Sequence, residues 1–142
     1  MPSPRILIVT NETSIRTNLV NALEGQGYEV VGTIAAKKQA VRAAAKAGPD
    51  VVLFEIGEAD RDEVIDIASR IRRTLGVPII YVIAHSNREF LEQTKATEPY
   101  GYLTQPASEA QVWSVVETAL ARHKVEKRLK ETWERLDLAL EV

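Results

Sequence analysis

Short runs of β-branched and apolar residues alternate along the chain with longer segments in which apolar residues recur every three or four positions. This is the pattern of strands alternating with amphipathic helices. Ile6–Val9 predicts a first strand, and Ile15, Leu19, Ala22 and Leu23 predict a helix that Gly25 and Gly27 stop. Tyr28–Thr33 predicts a second strand, and Val41, Ala44 and Ala45 mark a second helix, ended at Gly48-Pro49 because proline cannot continue it. Val51–Phe54 is apolar without a break, as expected of a central strand covered on both faces. Val64, Ile67, Ala68, Ile71 and Leu75 form a helical stripe punctuated by Gly76 and Pro78. A fourth strand is expected at Ile79–Ala84, a short helix at Arg88–Ala96 and a fifth strand at Tyr100–Leu103. Strand–helix repeats joined by short connections predict an α/β fold: a five-stranded parallel sheet, doubly wound, with right-handed crossovers.

The pattern changes near the C-terminus. Ser108-Glu-Ala-Gln111 reads as a capping box, and no glycine or proline follows up to Val142. A helix of about 30 residues would run roughly 45 Å, well beyond the domain body. Val125, Leu129, Trp133 or Thr132, Leu136 and Leu140 recur along it at three-to-four spacing. Glu126→Lys130 and Glu131→Arg135 are expected as charge pairs on its surface. An apolar stripe that leaves the domain needs a partner, because burying Trp133 and three leucines is worth several kcal/mol at about 25 cal/mol per Å². The expectation is a domain at 5–124 and a helical extension at 125–142, a coiled coil or signalling linker, forming a parallel homodimer or relaying between domains; a frayed or folded-back tail is less favoured.

At 142 residues the chain fits one domain. A net charge of −2 and a pI of 5.8 give no bulk attraction to nucleic acid or anionic membrane. The basic cluster Arg122, Lys124, Lys127, Arg128 and Lys130 is interleaved with glutamates and reads as a solvated face. There is no cysteine, which removes disulfides, thiolate metal sites and cysteine nucleophiles. The apolar run behind Arg5 is too short for a signal peptide or a membrane span, so a cytoplasmic protein is expected. His85 and His123 have no ligand partners at metal spacing and read as surface residues, while Asp60, Asp62 and Glu63 fit a loop and first helical turn.

In such a sheet, chemistry sits at the carboxyl ends of the strands. Those ends carry Thr10, Asn11 and Glu12 after the first strand, Glu55 after the third, Ile83 and Ala84 at the fourth, and Gln105-Pro106 after the fifth. With Ile6-Leu-Ile-Val9, Gly27-Tyr-Glu-Val-Val-Gly32, Pro49-Asp-Val-Val-Leu53, Val77-Pro-Ile-Ile80 and Glu98-Pro-Tyr-Gly-Tyr-Leu103 in this order, the chain from Arg5 to about Lys124 resembles the receiver domain of two-component response regulators, a flavodoxin-like fold. Receivers accept a phosphoryl group on an aspartate after the third strand, with Mg²⁺ held by an acidic pair after the first. A strand-four hydroxyl and a lysine contact the phosphoryl oxygens. The resemblance places the acidic pair on Thr10 and Asn11, with Glu12 beside them, the phosphoacceptor on Glu55, the hydroxyl on Ile83 and the lysine on Gln105. None of the five matches.

Each departure removes a physical part of the reaction. Neutral Thr10 and Asn11 offer Mg²⁺ no carboxylate anchor, so metal binding is expected to be weak or absent. Glu55 places its carboxylate roughly 1.5 Å too far out, and a displacement of about 1 Å can cost on the order of a hundredfold in rate. Gln105 supplies no charge and Ile83 no hydrogen bond. A pseudo-receiver is expected, not an enzyme, with Glu55 the remnant of a lost site in preference to a permanent phosphate mimic. Tyr102 stands at the aromatic switch position, but it and Tyr100 are expected to be packing residues with wet phenol tips. The competing reading is an anion or small-ligand binder using the vacated crevice, where Thr10, Asn11, Thr13 and Ser14 lie beside a helix N-terminus. Glu134-Arg-Leu-Asp-Leu-Ala-Leu-Glu141 resembles the lead-in to a PAS sensor domain, which implies a PAS-type output domain as partner, while the receiver resemblance implies a histidine kinase.

Overall fold

A computed structural model describes residues 2–57, 59–84 and 88–141, which leaves His85 outside the described residues. The chain runs β1 (Arg5–Val9), α1 (Thr13–Gly25), β2 (Glu29–Ile34), a 3₁₀ turn (Lys37–Gln39), α2 (Ala40–Ala47), β3 (Val51–Glu55), α3 (Arg61–Leu75), β4 (Ile79–Ile83), α4 (Arg88–Lys95), β5 (Gly101–Thr104) and α5 (Glu109–Leu140). The strands form one parallel sheet in the order β2-β1-β3-β4-β5. This is the doubly wound α/β sheet expected from the alternation of elements.

The two-residue period of a strand splits each apolar run between two cores. Ile6, Ile8, Val51, Leu53, Ile80 and Val82 pack with α1 and α5, through Leu19, Leu23, Val112 and Val116. Leu7, Val9, Val52, Phe54, Tyr81 and Ile83 pack with α2 and α3, through Ala44, Val64, Ile67 and Ile71. A central strand buried on both faces cannot alternate apolar with polar, which is why β1, β3 and β4 are continuous hydrophobic runs.

Boundaries differ from the sequence expectation by a residue or two, for local reasons. Gly25 lies inside α1, and the turn falls on Gly27 at φ 86°. Tyr28 is not yet strand because its N–H donates to Leu23 O at 3.0 Å, closing the helix end. Gly48 closes α2 and Gly76 closes α3 in left-handed conformations, as anticipated from their positions.

The capping box at α5 is present in both directions, Gln111 N to Ser108 Oγ at 3.1 Å and Ser108 N to Gln111 Oε1 at 2.8 Å. α5 spans 32 residues, about 48 Å of helix. Its first half buries Val112, Val116 and Ala119; beyond Leu120 every described residue except His123 is exposed.

Gly101 opens β5 where α5 crosses it, and a Cβ there would lie 2.7 Å from Val115 Cγ2. Gly101→Ala is expected to lower unfolding free energy in urea by about 1–3 kcal/mol, since a β-branched neighbour yields little. Adding Val115→Ala is expected to recover part of that loss.

Candidate functional site

The strand order reverses between β1 and β3, so their carboxyl ends frame the crevice in which a doubly wound sheet does its chemistry. Thr10 follows β1 and Glu55 ends β3 on the neighbouring strand, with Val9 opposite Phe54 in register. Thr10 Oγ1 donates to Glu55 Oε1 at 2.6 Å and accepts from the Glu12 N–H at 3.1 Å. Its backbone N–H donates to Ile34 O on β2 at 2.9 Å. Thr10 is therefore buried and fully engaged, and Glu55, half-buried, is held by it.

Asn11 and Glu12 are exposed at the rim. Ile83 is buried among Phe54, Ile56 and Val64 and brings no polar atom to the crevice. Gln105 reaches the same end of the sheet, its N–H donating to Ile83 O at 2.8 Å and its peptide bond to Pro106 cis. Its side-chain Nε2 is buried with no hydrogen-bond partner. The structure thus gathers Thr10, Glu12, Glu55, Ile83 and Gln105 at one end of the sheet; among the described residues the side-chain to side-chain hydrogen bond within this set is that of Thr10 to Glu55.

This donor set does not fit Mg²⁺, which needs carboxylate-anchored octahedral oxygen ligation. Thr10 and Asn11 are neutral, and the Thr10 hydroxyl is turned onto Glu55. Among the described residues, no three His, Cys, Asp or Glu side chains cluster as metal ligands. An anion fares no better, because the hydroxyl that would meet it is donated to Glu55, and Glu12 and Glu55 would repel it. Beside the crevice, Asp60 accepts from the Gly57 N–H at 3.0 Å and pairs with Lys37 of the 3₁₀ turn, tying the β3–α3 loop to the β2–α2 connection. The sequence reading assigned Asp60 to a loop and missed its partner, which is 23 positions away.

Tyr100, just before β5, and Tyr102 within it both depart from the expectation of wet phenol tips. Tyr102 OH meets Thr94 Oγ1 of α4 at 2.7 Å, and Tyr100 OH donates to Glu126 of α5. Arg72 and Arg122 place their guanidinium carbons 4.6 and 4.5 Å from the Tyr100 ring centroid. Burial and then the Glu126 hydrogen bond raise the Tyr100 phenol, while that phenol and then Arg122 lower the Glu126 carboxyl. Arg122 Nε donates to Glu126 at 3.0 Å, so Glu126 pairs backward to the domain instead of forward to Lys130. Among the described residues, Glu131 and Arg135 form no ion pair either: at the helix surface, water competes with such contacts. His123 is not a plain surface histidine, because its Nε2 lies 3.0 Å from Gly76 O and its ring meets Tyr100 edge-on. Beyond this clamp the stripe is open to solvent: Val125 is 60% exposed, Leu129 57%, Trp133 61%, Leu136 49% and Leu140 83%.

Residues 6–117 match the response regulator receiver domain family. The transcriptional regulatory protein PdtaR of Mycobacterium tuberculosis is 32% identical over 120 residues, covering 84% of this chain and 58% of the relative. The chain therefore spans little more than half the length of this curated relative. The signal receiver domain of a modulated diguanylate cyclase from Desulfovibrio desulfuricans superposes with a TM-score of 0.78 at 28% identity, over 88% of this chain and 99% of that one. The N-terminal domain of a response regulator/sensory box/GGDEF 3-domain protein from Carboxydothermus hydrogenoformans gives 0.73 at 26%, over 86% and 98%.

Thr10→Val removes the donor to Glu55 while keeping the volume. It is expected to cost about 1–2 kcal/mol by urea unfolding, and the cost is expected to shrink in a Glu55→Leu background, where the Glu12 N–H still loses its acceptor. Burial pushes the Tyr81 phenol up to about 12 from its ordinary 10.0. The folded state therefore holds that proton more tightly, its contribution is complete below pH 10, and it is lost as pH rises towards 12. Stability measured across that range is expected to fall less steeply in Tyr81→Phe.

Proposed function

The chain belongs to the response regulator receiver family, and from that membership we propose that it is a signalling module whose phosphoryl switch is lost and whose output runs through association of its long α5 helix. One observation carries the reading. The side chain standing where a metal-binding acid would be, Thr10, is neutral and donates its hydroxyl to Glu55 at 2.6 Å. A receiver reaction needs a metal, an in-line aspartate and a cation for the transferring oxygens; this crevice offers a hydrogen-bonded glutamate, Ile83 and the amide Gln105.

With that chemistry absent, protein contact is what the chain can offer. Val125, Leu129, Trp133, Leu136 and Leu140 on the 125–142 extension form an apolar face that water does not favour and the 5–124 domain does not cover. A homodimer through this face, or continuation into an output domain, accounts for it. The Carboxydothermus relative, in which a receiver is followed by a sensory box, supports a PAS-type neighbour, and a histidine kinase is the partner that receivers serve in two-component signalling. The reading is non-enzymatic and cytoplasmic; among the described residues no helix is long and apolar enough to cross a membrane.

Incubation with acetyl phosphate and Mg²⁺, followed by intact-mass spectrometry, is expected to leave the chain unmodified. A stable adduct that Glu55→Gln abolishes would overturn the reading. Sedimentation is expected to give a dimer that Leu129→Asp with Leu136→Asp converts to a monomer. A wild-type monomer at all accessible concentrations would refute the homodimer.

A further inference from the structure

The sheet face that carries Phe54 and Ile83 also carries two tyrosines paired in register, Tyr81 on β4 and Tyr102 on β5. Their ring centroids are 6.1 Å apart. Both hydroxyls end on the segment formed by α4 and the turn after it: Tyr81 OH lies 2.7 Å from Thr97 Oγ1, and Tyr102 OH 2.7 Å from Thr94 Oγ1. The threonines continue each contact into the backbone, Thr97 Oγ1 donating to Thr94 O at 2.8 Å and Thr94 Oγ1 to Leu91 O at 3.1 Å.

A threonine hydroxyl has a single hydrogen. Since both threonines donate to carbonyls, the tyrosines must be the donors to the threonines. The result is two parallel relays, Tyr81 to Thr97 to Thr94 O and Tyr102 to Thr94 to Leu91 O. In each, a bond polarises the next. Tyr81 and Thr94 are fully buried and Thr97 nearly so, so opening either relay would strand polar groups away from water. Beyond Thr97, Glu98 takes a left-handed φ of 51° and its exposed carboxylate lies 3.4 Å from Arg72 of α3.

We propose that these two relays are a latch that fixes α4 against β4 and β5, and that the latch, not the charge at residue 55, sets the arrangement of this face. The inference goes beyond the proposed loss of phosphoryl chemistry and stands on separate residues. Glu55 lies opposite Val82 in the ladder, and Ile83, which follows Val82, has no hydroxyl; among the described residues the side-chain hydrogen bond of Glu55 is to Thr10 and that of Tyr102 is to Thr94. Thr94 on the helix supplies to Tyr102 the hydroxyl that Ile83 does not. A partner meeting α4 and β5 would find one fixed surface.

Hydrogen–deuterium exchange of the whole chain tests this, in wild type, Thr97→Val, Tyr102→Phe, Thr97→Ser and Glu55→Gln. Thr97→Val and Tyr102→Phe are each expected to speed exchange in residues 88–95 about tenfold while α1 and α3 stay unchanged. Thr97→Ser keeps the hydroxyl and is expected to restore protection. Glu55→Gln is expected to leave residues 88–95 as in wild type. The proposal is overturned if neither latch variant changes α4, if exchange rises equally in α1 and α3, or if Glu55→Gln loosens α4 as much as the latch variants do.

Discussion

Everything in this molecule follows from a parallel sheet whose three central strands are apolar on both faces. Such strands cannot be left wet on either side, so helices must cover both, and the crossovers that carry them point every strand the same way. Polar residues are then confined to the strand ends. Thr10, Glu55, Gln105 and the loop carrying Asp60 meet at one end of the sheet because the topology leaves nowhere else for them. At the opposite end, where α5 leaves the domain, Tyr100, Arg72, Arg122, His123 and Glu126 form a second polar cluster that anchors the helix before it enters solvent.

On the proposed reading the crevice sits where a receiver carries its site and holds a different set of side chains. The glutamate carboxylate extends one bond further than an aspartate would, far enough to accept the Thr10 hydroxyl on the adjacent strand. That bond joins the two groups directly, with no metal between them. Ile83 completes the change by substituting packing for a hydrogen bond at the strand that would sense the site, while Tyr102 finds its partner on α4 instead. The three departures are consistent with the proposed loss of phosphoryl chemistry, since a site without turnover needs neither an open ligand position nor a movable sensor.

The sheet, its order of elements and the capping box of α5 were legible in the sequence, because periodicity and punctuation are local. The strand-end residues were legible too, since topology assigns them. What the sequence did not reveal were the contacts made at long separation. The hydroxyl of Thr10 on Glu55 spans 45 positions and Tyr28 on Glu117 spans 89, and nothing in either neighbourhood announces the other. Tyr100 and Tyr102 were read as packing residues with free hydroxyls, although Thr94 and Thr97 were in plain view at helical spacing. The register that sets Tyr81 beside Tyr102 was the missing piece. Glu126 was assigned to Lys130 by the four-residue rule, and the closer claims of Tyr100 and Arg122 came from the fold.

The central claim is that the crevice neither holds Mg²⁺ nor responds to a phosphoryl group. Its most direct test is an amide NMR titration with Mg²⁺ and then beryllofluoride, following Thr10, Glu55, Ile83 and Tyr102. The account predicts no saturable shift at millimolar Mg²⁺ and none on adding beryllofluoride. Saturable shifts that begin at Glu55 and reach Tyr102 would contradict it.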